Sequence, residues 1–458
     1  MFKKIKNIHL VGIGGSGMSG IAEVLLNLGY SISGSDVART EVTKHLSKLG
    51  AKIRYSHNAA NVRGADVVVV STAISRTNPE VVFAFKNKIP VIPRAEMLAE
   101  LARLKYTVTV AGTHGKTTTT SMTAMVLREG GLDPTVIIGG RLKNIGTGAK
   151  LGKGNFMVAE ADESDGSFLK LQPTVAIITN IDDDHLDHYG TMDRLKAAFA
   201  AHVNKVPFYG CSILCADDPG VRSIIGSIER KFYTYGLLRG AGRTDFFGRI
   251  TYRCAGRTSF DIIRGAKKIG PINLKVPGMH NVSNALAAAC CGIILDVPFA
   301  KIAKALEEFE GVGRRLEVRG RAAFGPGEIV VVDDYGHHPT EIKTTVKALR
   351  EWCPDRRIVV IFQPHRYTRT KLLYGKFARA FDDVDVLKIM DIYPAGEKPV
   401  RGVSSDLIIN EIRKRGRVVS KFDPAEFMNE IRPGDVILTL GAGDVWRVGK
   451  EILWRLKR

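Results

Sequence analysis

Twice in the N-terminal part of the chain an apolar, strand-like run breaks into a glycine-rich loop and then passes into a helical pattern. Ile5–Val11 leads into Gly12-Ile13-Gly14-Gly15-Ser16-Gly17, followed by a helical face of Met18, Ile21, Leu25 and Leu28. Tyr106–Val110 leads through Ala111 into Gly112-Thr113-His114-Gly115-Lys116-Thr117-Thr118, followed by Met122, Met125 and Val126 at helical spacing. A strand–loop–helix of this kind sets free backbone N–H groups and the positive end of a helix dipole at the C-terminal edge of a parallel sheet. Two such loops restrict the chain to α/β architecture, and to more than one sheet.

The rest of the sequence keeps the same alternation. Tyr30–Ser35, Val67–Ser71 and Val91–Ile92 read as strands, and Ala95–Arg103 as a helix closing a first block. Further strands are expected at Phe156–Glu160, Val175–Thr179, Glu328–Val332, Arg357–Phe362, Asp385–Met390, Val418–Lys421 and Val436–Leu440. Strands joined through helices pair in parallel, because a parallel pair needs a long crossover. At 458 residues the chain exceeds one hydrophobic core, and roughly three domains are expected. The expected organisation is a Rossmann-like N-terminal domain over residues 1–105, a central P-loop ATPase-type α/β domain over 106–315, and a C-terminal Rossmann-like α/β domain over 316–458.

Composition excludes several classes. Hydrophobic residues make up 45% and charged residues 25%, as in ordinary globular proteins. No apolar run approaches the ~20 residues of a membrane-crossing helix. Met1–Lys6 lacks the apolar core of a signal peptide, so a cytoplasmic location is expected. The six cysteines form no CxxC pair, which argues against a zinc site or a disulfide framework. The net charge of +20 suits anionic substrates, which a positive field concentrates. No nucleic-acid motif accompanies it, so no nucleic-acid partner is expected.

The first loop matches GxGxxG, with Asp36 at the end of the second strand, where a carboxylate can accept from a ribose or base. It reports a nucleotide diphosphate without saying which one, and by itself leaves a nicotinamide dehydrogenase open. A dehydrogenase has no need of the second loop. There, backbone N–H groups would cradle phosphates, Lys116 would reach the β- and γ-phosphates, and the Thr117 hydroxyl would ligate Mg²⁺. The loop is a short GTxGKT form, with Val110 where the general pattern has its first glycine. Glu160 ends a strand on the same sheet edge and is a candidate Mg²⁺ ligand. His185 is a candidate ligand of a second metal. Asp182 and Asp183 read as solvated loop charges.

With these stand His9–Met18, Glu160–Asp165, Thr179–Asp187, His280–Ala285, Gly313-Arg314-Arg315, Asp334–Pro339 and Phe362–Arg369. Together these motifs resemble the Mur ligases, ATP-dependent amide-bond ligases of peptidoglycan synthesis, over essentially the whole chain. The resemblance implies a UDP-sugar site at Gly14, Gly15, Ser16, Gly17, Asp36 and Ser71. It implies an ATP site at Gly112–Thr118 with Asn281, Asn284, Arg315 and Asp334, and a metal site of Thr117, Glu160 and His185. Lys116, Arg315 and His337 would carry the chemistry, and His337, His365, Arg366 and Arg369 would hold the incoming amino acid. A guanidinium grips a carboxylate in a fork, which suits Arg366 best. The implied substrates are ATP, UDP-N-acetylmuramate and L-alanine, for a monomer or homodimer. Several relatives carry a carbamylated lysine where Phe199 stands by spacing. Its absence fits the alanine-adding branch. The alternative within the family is a ligase that recycles a preformed murein peptide.

Overall fold

The computed structural model describes residues 5–71, 73–138, 149–238, 240, 244–254 and 256–456. The side chains of Ser16 and Asp187 lie outside what is described. The strands form three sheets. The first holds β1 (Asn7–Val11), β2 (Ser31–Ser35), β3 (Lys52–Arg54), β4 (Val67–Val70) and β5 (Val91–Pro93), in the order β3-β2-β1-β4-β5. All its pairs are parallel. Ile8, Leu10, Val67 and Val69 are buried from its strands, against Met18, Ile21 and Leu25 of the helix Ser16–Asn27. Leu28, expected on the same face, caps the helix and is 40% exposed. The helical repeat ends there, because Gly29 turns the chain at φ +85°.

The second sheet has ten strands. These are β6 (Tyr106–Ala111), β7 (Thr135–Ile137), β8 (Ala149–Lys150), β9 (Phe156–Glu160), β10 (Val175–Ile178), β11 (Cys211–Cys215), β12 (Phe232–Gly236), β13 (Phe246–Cys254), β14 (Arg257–Arg264) and β15 (Lys267–Leu274). Their order is β15-β14-β13-β12-β11-β10-β6-β9-β7-β8. The centre, β11-β10-β6-β9, is parallel and nearly all buried, which explains its continuous apolar runs. The edge pair β7–β8 is antiparallel, a departure from the all-parallel expectation. The third sheet has β16 (Glu317–Phe324), β17 (Gly327–Asp334), β18 (Ile358–Phe362), β19 (Val386–Ile389), β20 (Ser420–Lys421) and β21 (Val436–Leu440), in the order β16-β17-β21-β18-β19-β20. It is parallel except for the hairpin β16–β17.

Two compact units contain these sheets. One comprises Met1–Thr251, Phe260–Asn273 and Ser283–Glu310; the other comprises Tyr252–Ser259, Leu274–Val282 and Gly311–Arg458. No helix among the described residues is long and apolar enough to cross a membrane.

Candidate active site

In the first unit, the loop after β1 folds back on the end of β2. The Gly12 and Ile13 N–H groups donate to the Ser35 carbonyl at 2.8 and 3.0 Å. Gly14 N donates to Asp36 Oδ2 at 2.8 Å, and Ala38 N to Asp36 Oδ1 at 3.0 Å. Asp36 therefore braces the loop through one oxygen and the turn at Ala38 through the other. A Cβ on Gly14 would come within 2.8 Å of that carboxylate, so the close approach requires glycine. Ser71, just past β4, stands beside the loop: its Oγ lies 3.8 Å from where a Gly12 Cβ would be. The helix Ser16–Asn27 opens with no side-chain cap and no acid in its first turn, which leaves its N-terminal donors for a ligand.

The second loop lies between β6 and the helix Lys116–Glu129, and β10 holds it from the side. His114 N donates to Asn180 Oδ1 at 2.8 Å, and the His114 carbonyl accepts from Thr179 Oγ1 at 2.7 Å. Asp182 N donates to Thr113 Oγ1 at 2.9 Å, while His114 Nε2 lies 3.0 Å from Asp182 Oδ2. Asp182 is thus a staple of the loop rather than a solvated charge, because the strand end of β10 runs alongside the loop. Gly112 and Gly115 take φ of +136° and +80°, conformations only glycine adopts readily. Thr118 follows, buried in the first turn of the helix. Asn284 closes the other side, its Oδ1 2.8 Å from a Cβ built on Gly115.

All three Lys116 donors are engaged: Gly112 O at 2.6 Å, Thr113 O at 3.0 Å and Glu163 Oε1 at 2.8 Å. Burial works against the ammonium charge, but Glu163, Asp162 and Glu160 outweigh it and hold the Lys116 pKa above its usual value. Thr117 Oγ1 donates to Glu160 at 3.0 Å, so the two expected metal ligands already touch. Glu163 is fully buried; its Oε2 has no hydrogen-bond partner, and burial raises its pKa despite Lys116. His185 Nε2 lies 3.9 Å from Glu163 Oε1 and 3.7 Å from Asp184 Oδ2, on a backbone at φ +59°. An oxygen-rich set with an orphaned buried carboxylate oxygen fits a hard divalent cation such as Mg²⁺. Phe199 takes no part, since it is fully buried against Phe168 with ring centroids 5.3 Å apart. Glu163 and Asn180 lay inside motifs that carried the resemblance but were given no role, and Tyr189, whose hydroxyl donates to the Glu163 carbonyl at 2.6 Å, was not singled out. No local spacing links them to Lys116.

The second unit gathers the C-terminal motifs. Glu341, on the helix Pro339–Trp352, accepts from Arg315 Nη1 at 3.3 Å and from the His337 and His338 N–H groups at 3.0 and 3.3 Å. Asp334 is 3% exposed and accepts from Leu316 N at 2.8 Å and Gly336 N at 2.7 Å. Its carboxylate is committed to the backbone just after Arg315 and just before His337. Asn281 Nδ2 donates to the Pro277 carbonyl at 2.6 Å. The His337 and His365 rings are 5.5 Å apart, and His365 stacks on Tyr393. Burial, then Arg369 and His365, lowers the His337 pKa to about 3, although Glu341 opposes this. Burial, then Arg369 and Arg366, lowers that of His365 to about 4. Arg366 has φ +70°, a rare conformation for a side chain of its size. His337, His365, Arg366 and Arg369 therefore share one neighbourhood, as expected. Glu341 was not foreseen, although it sits three residues after the His338 cap in the manner of a capping box.

Three family models cover most of the chain: the Mur ligase family catalytic domain over residues 7–106, the Mur ligase middle domain over 110–292 and the Mur ligase glutamate ligase domain over 314–443. A UDP-N-acetylmuramate–L-alanine ligase of Endomicrobium trichonymphae is 54% identical over 99% of both chains. The protein of that name from Geobacter sulfurreducens is 51% identical over 100% of this chain and 99% of its own. Among solved structures, UDP-N-acetylmuramate-alanine ligase from Thermotoga maritima aligns with a TM-score of 0.82 at 31% identity, covering 98% of this chain and 99% of that one. Two glycine-rich strand–loop–helix units on successive sheets, with family models and relatives matching nearly the whole chain, leave one conclusion: the chain belongs to the Mur ligases.

Proposed function

We propose that the chain is an ATP-dependent ligase that joins the lactyl carboxylate of UDP-N-acetylmuramate to the amino group of L-alanine, in the cytoplasm, for peptidoglycan precursor synthesis. The observation that carries this reading is the phosphate loop itself. Lys116 is charged and Thr117 is bonded to Glu160, in a chain that has already used a separate glycine loop. Domain boundaries at 1–105, 106–315 and 316–458 belong to the same proposal.

A free carboxylate is a poor electrophile, and transfer of the ATP γ-phosphoryl group makes it an acyl phosphate. Gly112–Thr118 would seat the triphosphate, with Asn281 and Asn284 toward the base. Lys116 and Arg315 would stabilise charge on the transferring group. Asp334 would hold the Arg315 segment in place beside the nucleotide. Mg²⁺, held by Thr117 and Glu160 with His185 at a second position, would neutralise phosphate charge when bound. Alanine would place its carboxylate on Arg366, beside Arg369 and His365. His337 Nδ1 lies 3.1 Å from the Tyr335 carbonyl and donates to it, which leaves the Nε2 lone pair free to take a proton. At a pKa of about 3 the ring is neutral throughout the working range. Alanine would react as its free amine, the ammonium proton having passed to solvent first; His337, a weak base, would then take the second proton from the amine once it has attacked and become acidic. The amide forms as phosphate leaves.

Incubation with ATP, Mg²⁺, UDP-N-acetylmuramate and each amino acid in turn, followed by ADP release, tests the reading. ADP release should need both the sugar nucleotide and alanine. Steady ATP hydrolysis independent of both would overturn it. A peptide accepted in place of alanine would move the chain to the recycling branch, and nicotinamide binding to the first loop would revive the dehydrogenase.

A further inference from the structure

Arg94 opens the helix Arg94–Ala102 directly after β5. Its side chain is only 25% exposed, yet a guanidinium carries five N–H donors. Among the described residues it makes no hydrogen bond, and its one ionic neighbour is Asp162 Oδ2 at 4.0 Å. Asp162 is drawn elsewhere: its carboxylate accepts from Ser164 N at 3.1 Å, and Lys116 attracts it more strongly than Arg94 does. A half-buried guanidinium whose one partner is a carboxylate oxygen 4.0 Å away, with no hydrogen bond among the described residues, is left with donors that an anion could fill.

The place of that guanidinium is specific. It lies on Gly17, where a Cβ would come 2.6 Å from Arg94 Nη1 and 3.2 Å from Arg94 Cδ. Gly17 is the last glycine of the first loop and sits in the first turn of the uncapped helix Ser16–Asn27. Unmet donors from the side chain and from the helix N-terminus therefore meet at one point.

We propose that Arg94 grips the diphosphate of the sugar nucleotide, as the side-chain half of a cradle whose backbone half is the N-terminal turn of the helix Ser16–Asn27, since the Gly14 and Gly15 N–H groups are already given to Asp36 and to the Gly12 carbonyl. This rests on the reading of the first loop as the UDP-sugar site. The helix N-terminus favours the diphosphate over the sugar's carboxylate as the anion, since phosphate oxygens collect where N–H groups and dipole point. A guanidinium adds a planar fork that an ammonium lacks. The loss of Gly17 would act through the same residue, because a methyl group there pushes Arg94 aside.

The test uses the full chain and calorimetric titration with UDP, with UDP-N-acetylmuramate and with ATP. Arg94→Ala should weaken UDP about 10- to 100-fold, the range for a hydrogen bond to a charged group, and leave ATP within about twofold. Arg94→Lys and Gly17→Ala should each give a smaller loss of UDP affinity, and they carry the test if Arg94→Ala fails to fold. In steady-state kinetics Arg94→Lys should raise KM for the sugar nucleotide by a larger factor than it lowers kcat, and leave KM for ATP within about twofold. Unchanged UDP affinity in all three variants would overturn the proposal. So would a loss seen with UDP-N-acetylmuramate but not with UDP, which would assign Arg94 to the carboxylate. A parent chain that binds ATP but no UDP would instead refute the sugar-nucleotide reading of the whole loop.

Discussion

Lys116 and Glu163 are a buried pair, and each is the other's neutralising partner. Lys116→Ala should lower kcat by at least ~10²-fold, because charge stabilisation of the transferring phosphoryl group is lost. Rapid-quench or steady-state ADP release checks this; near-parental turnover would remove Lys116 from the chemistry. The same change strands Glu163, which is fully buried, and leaving a buried charge alone costs about 3–5 kcal/mol. The double variant Lys116→Ala/Glu163→Gln should therefore melt above the single Lys116→Ala variant while staying inactive. A double variant that melts no higher would mean that Glu163 is neutral whenever Lys116 is absent. For the amino acid, Arg366→Ala should raise KM for alanine far more than KM for ATP. Equal rises would make Arg366 a structural cation. Arg366 also lies within the field of Glu397, whose pKa is lowered against burial by hydrogen bonds from Thr368 and then by Arg366.

At the scale of elements, the phosphate loop depends on two glycines with left-handed backbone. Gly115→Ala meets φ +80° and places a methyl group 2.8 Å from Asn284 Oδ1. ATP affinity should fall at least ~10-fold, given about 1–2 kcal/mol for the backbone alone, with UDP binding untouched. Parallel titrations with the two nucleotides decide it, and equal losses would point to general misfolding. The buried parallel strands were legible as elements, since runs such as Val436–Leu440 and Phe156–Glu160 match observed strands from end to end. The strands β13–β15 went unread, and of the β16–β17 hairpin only β17 was expected, as Glu328–Val332. Phe246–Cys254 alternates only at its start and then runs exposed, so it lacks the continuous apolar signal of a central strand. Val418–Lys421 shortened to Ser420–Lys421, with Val418 95% exposed. An isolated apolar residue at a sheet edge carries little burial to define a strand.

Across the whole molecule, several imidazoles are buried neutral. Burial and then Lys205 lower the His202 pKa to about 3, and His202 Nε2 lies 3.0 Å from Thr109 Oγ1. Burial and then Arg315 lower His280 to about 4. Below pH ~6.5 the unfolded chain takes up these protons and the folded chain does not, so stability falls as pH drops from about 6.5 toward 3. Glu80 adds to this at lower pH. Hydrogen bonds from His9, Ser35, Asn61 and His57 overcome its burial and hold its pKa at about 2. Its stabilisation is present above pH ~4.5 and lost as pH falls toward 2. Urea midpoints measured between pH 7.5 and 5 should fall, and His202→Gln should flatten the slope by about one proton. An unchanged slope would mean that His202 is protonated in the folded state.

The amino-acid order alone determined the two glycine loops, the parallel α/β class and the residue types able to handle phosphate and carboxylate. Each of these is written in local spacing: a glycine where φ must be positive, a lysine one residue past it, an apolar run where a strand is covered on both faces. Tertiary structure alone decided who answers whom. Glu163 meets Lys116 across 47 positions, Glu341 ties Arg315 to His337, and Arg94 comes to rest on Gly17. The charge state of His337 was decided there too. A pKa follows from burial and from neighbours brought together by folding, and no pattern along the chain encodes which distant side chains will share a low-dielectric space.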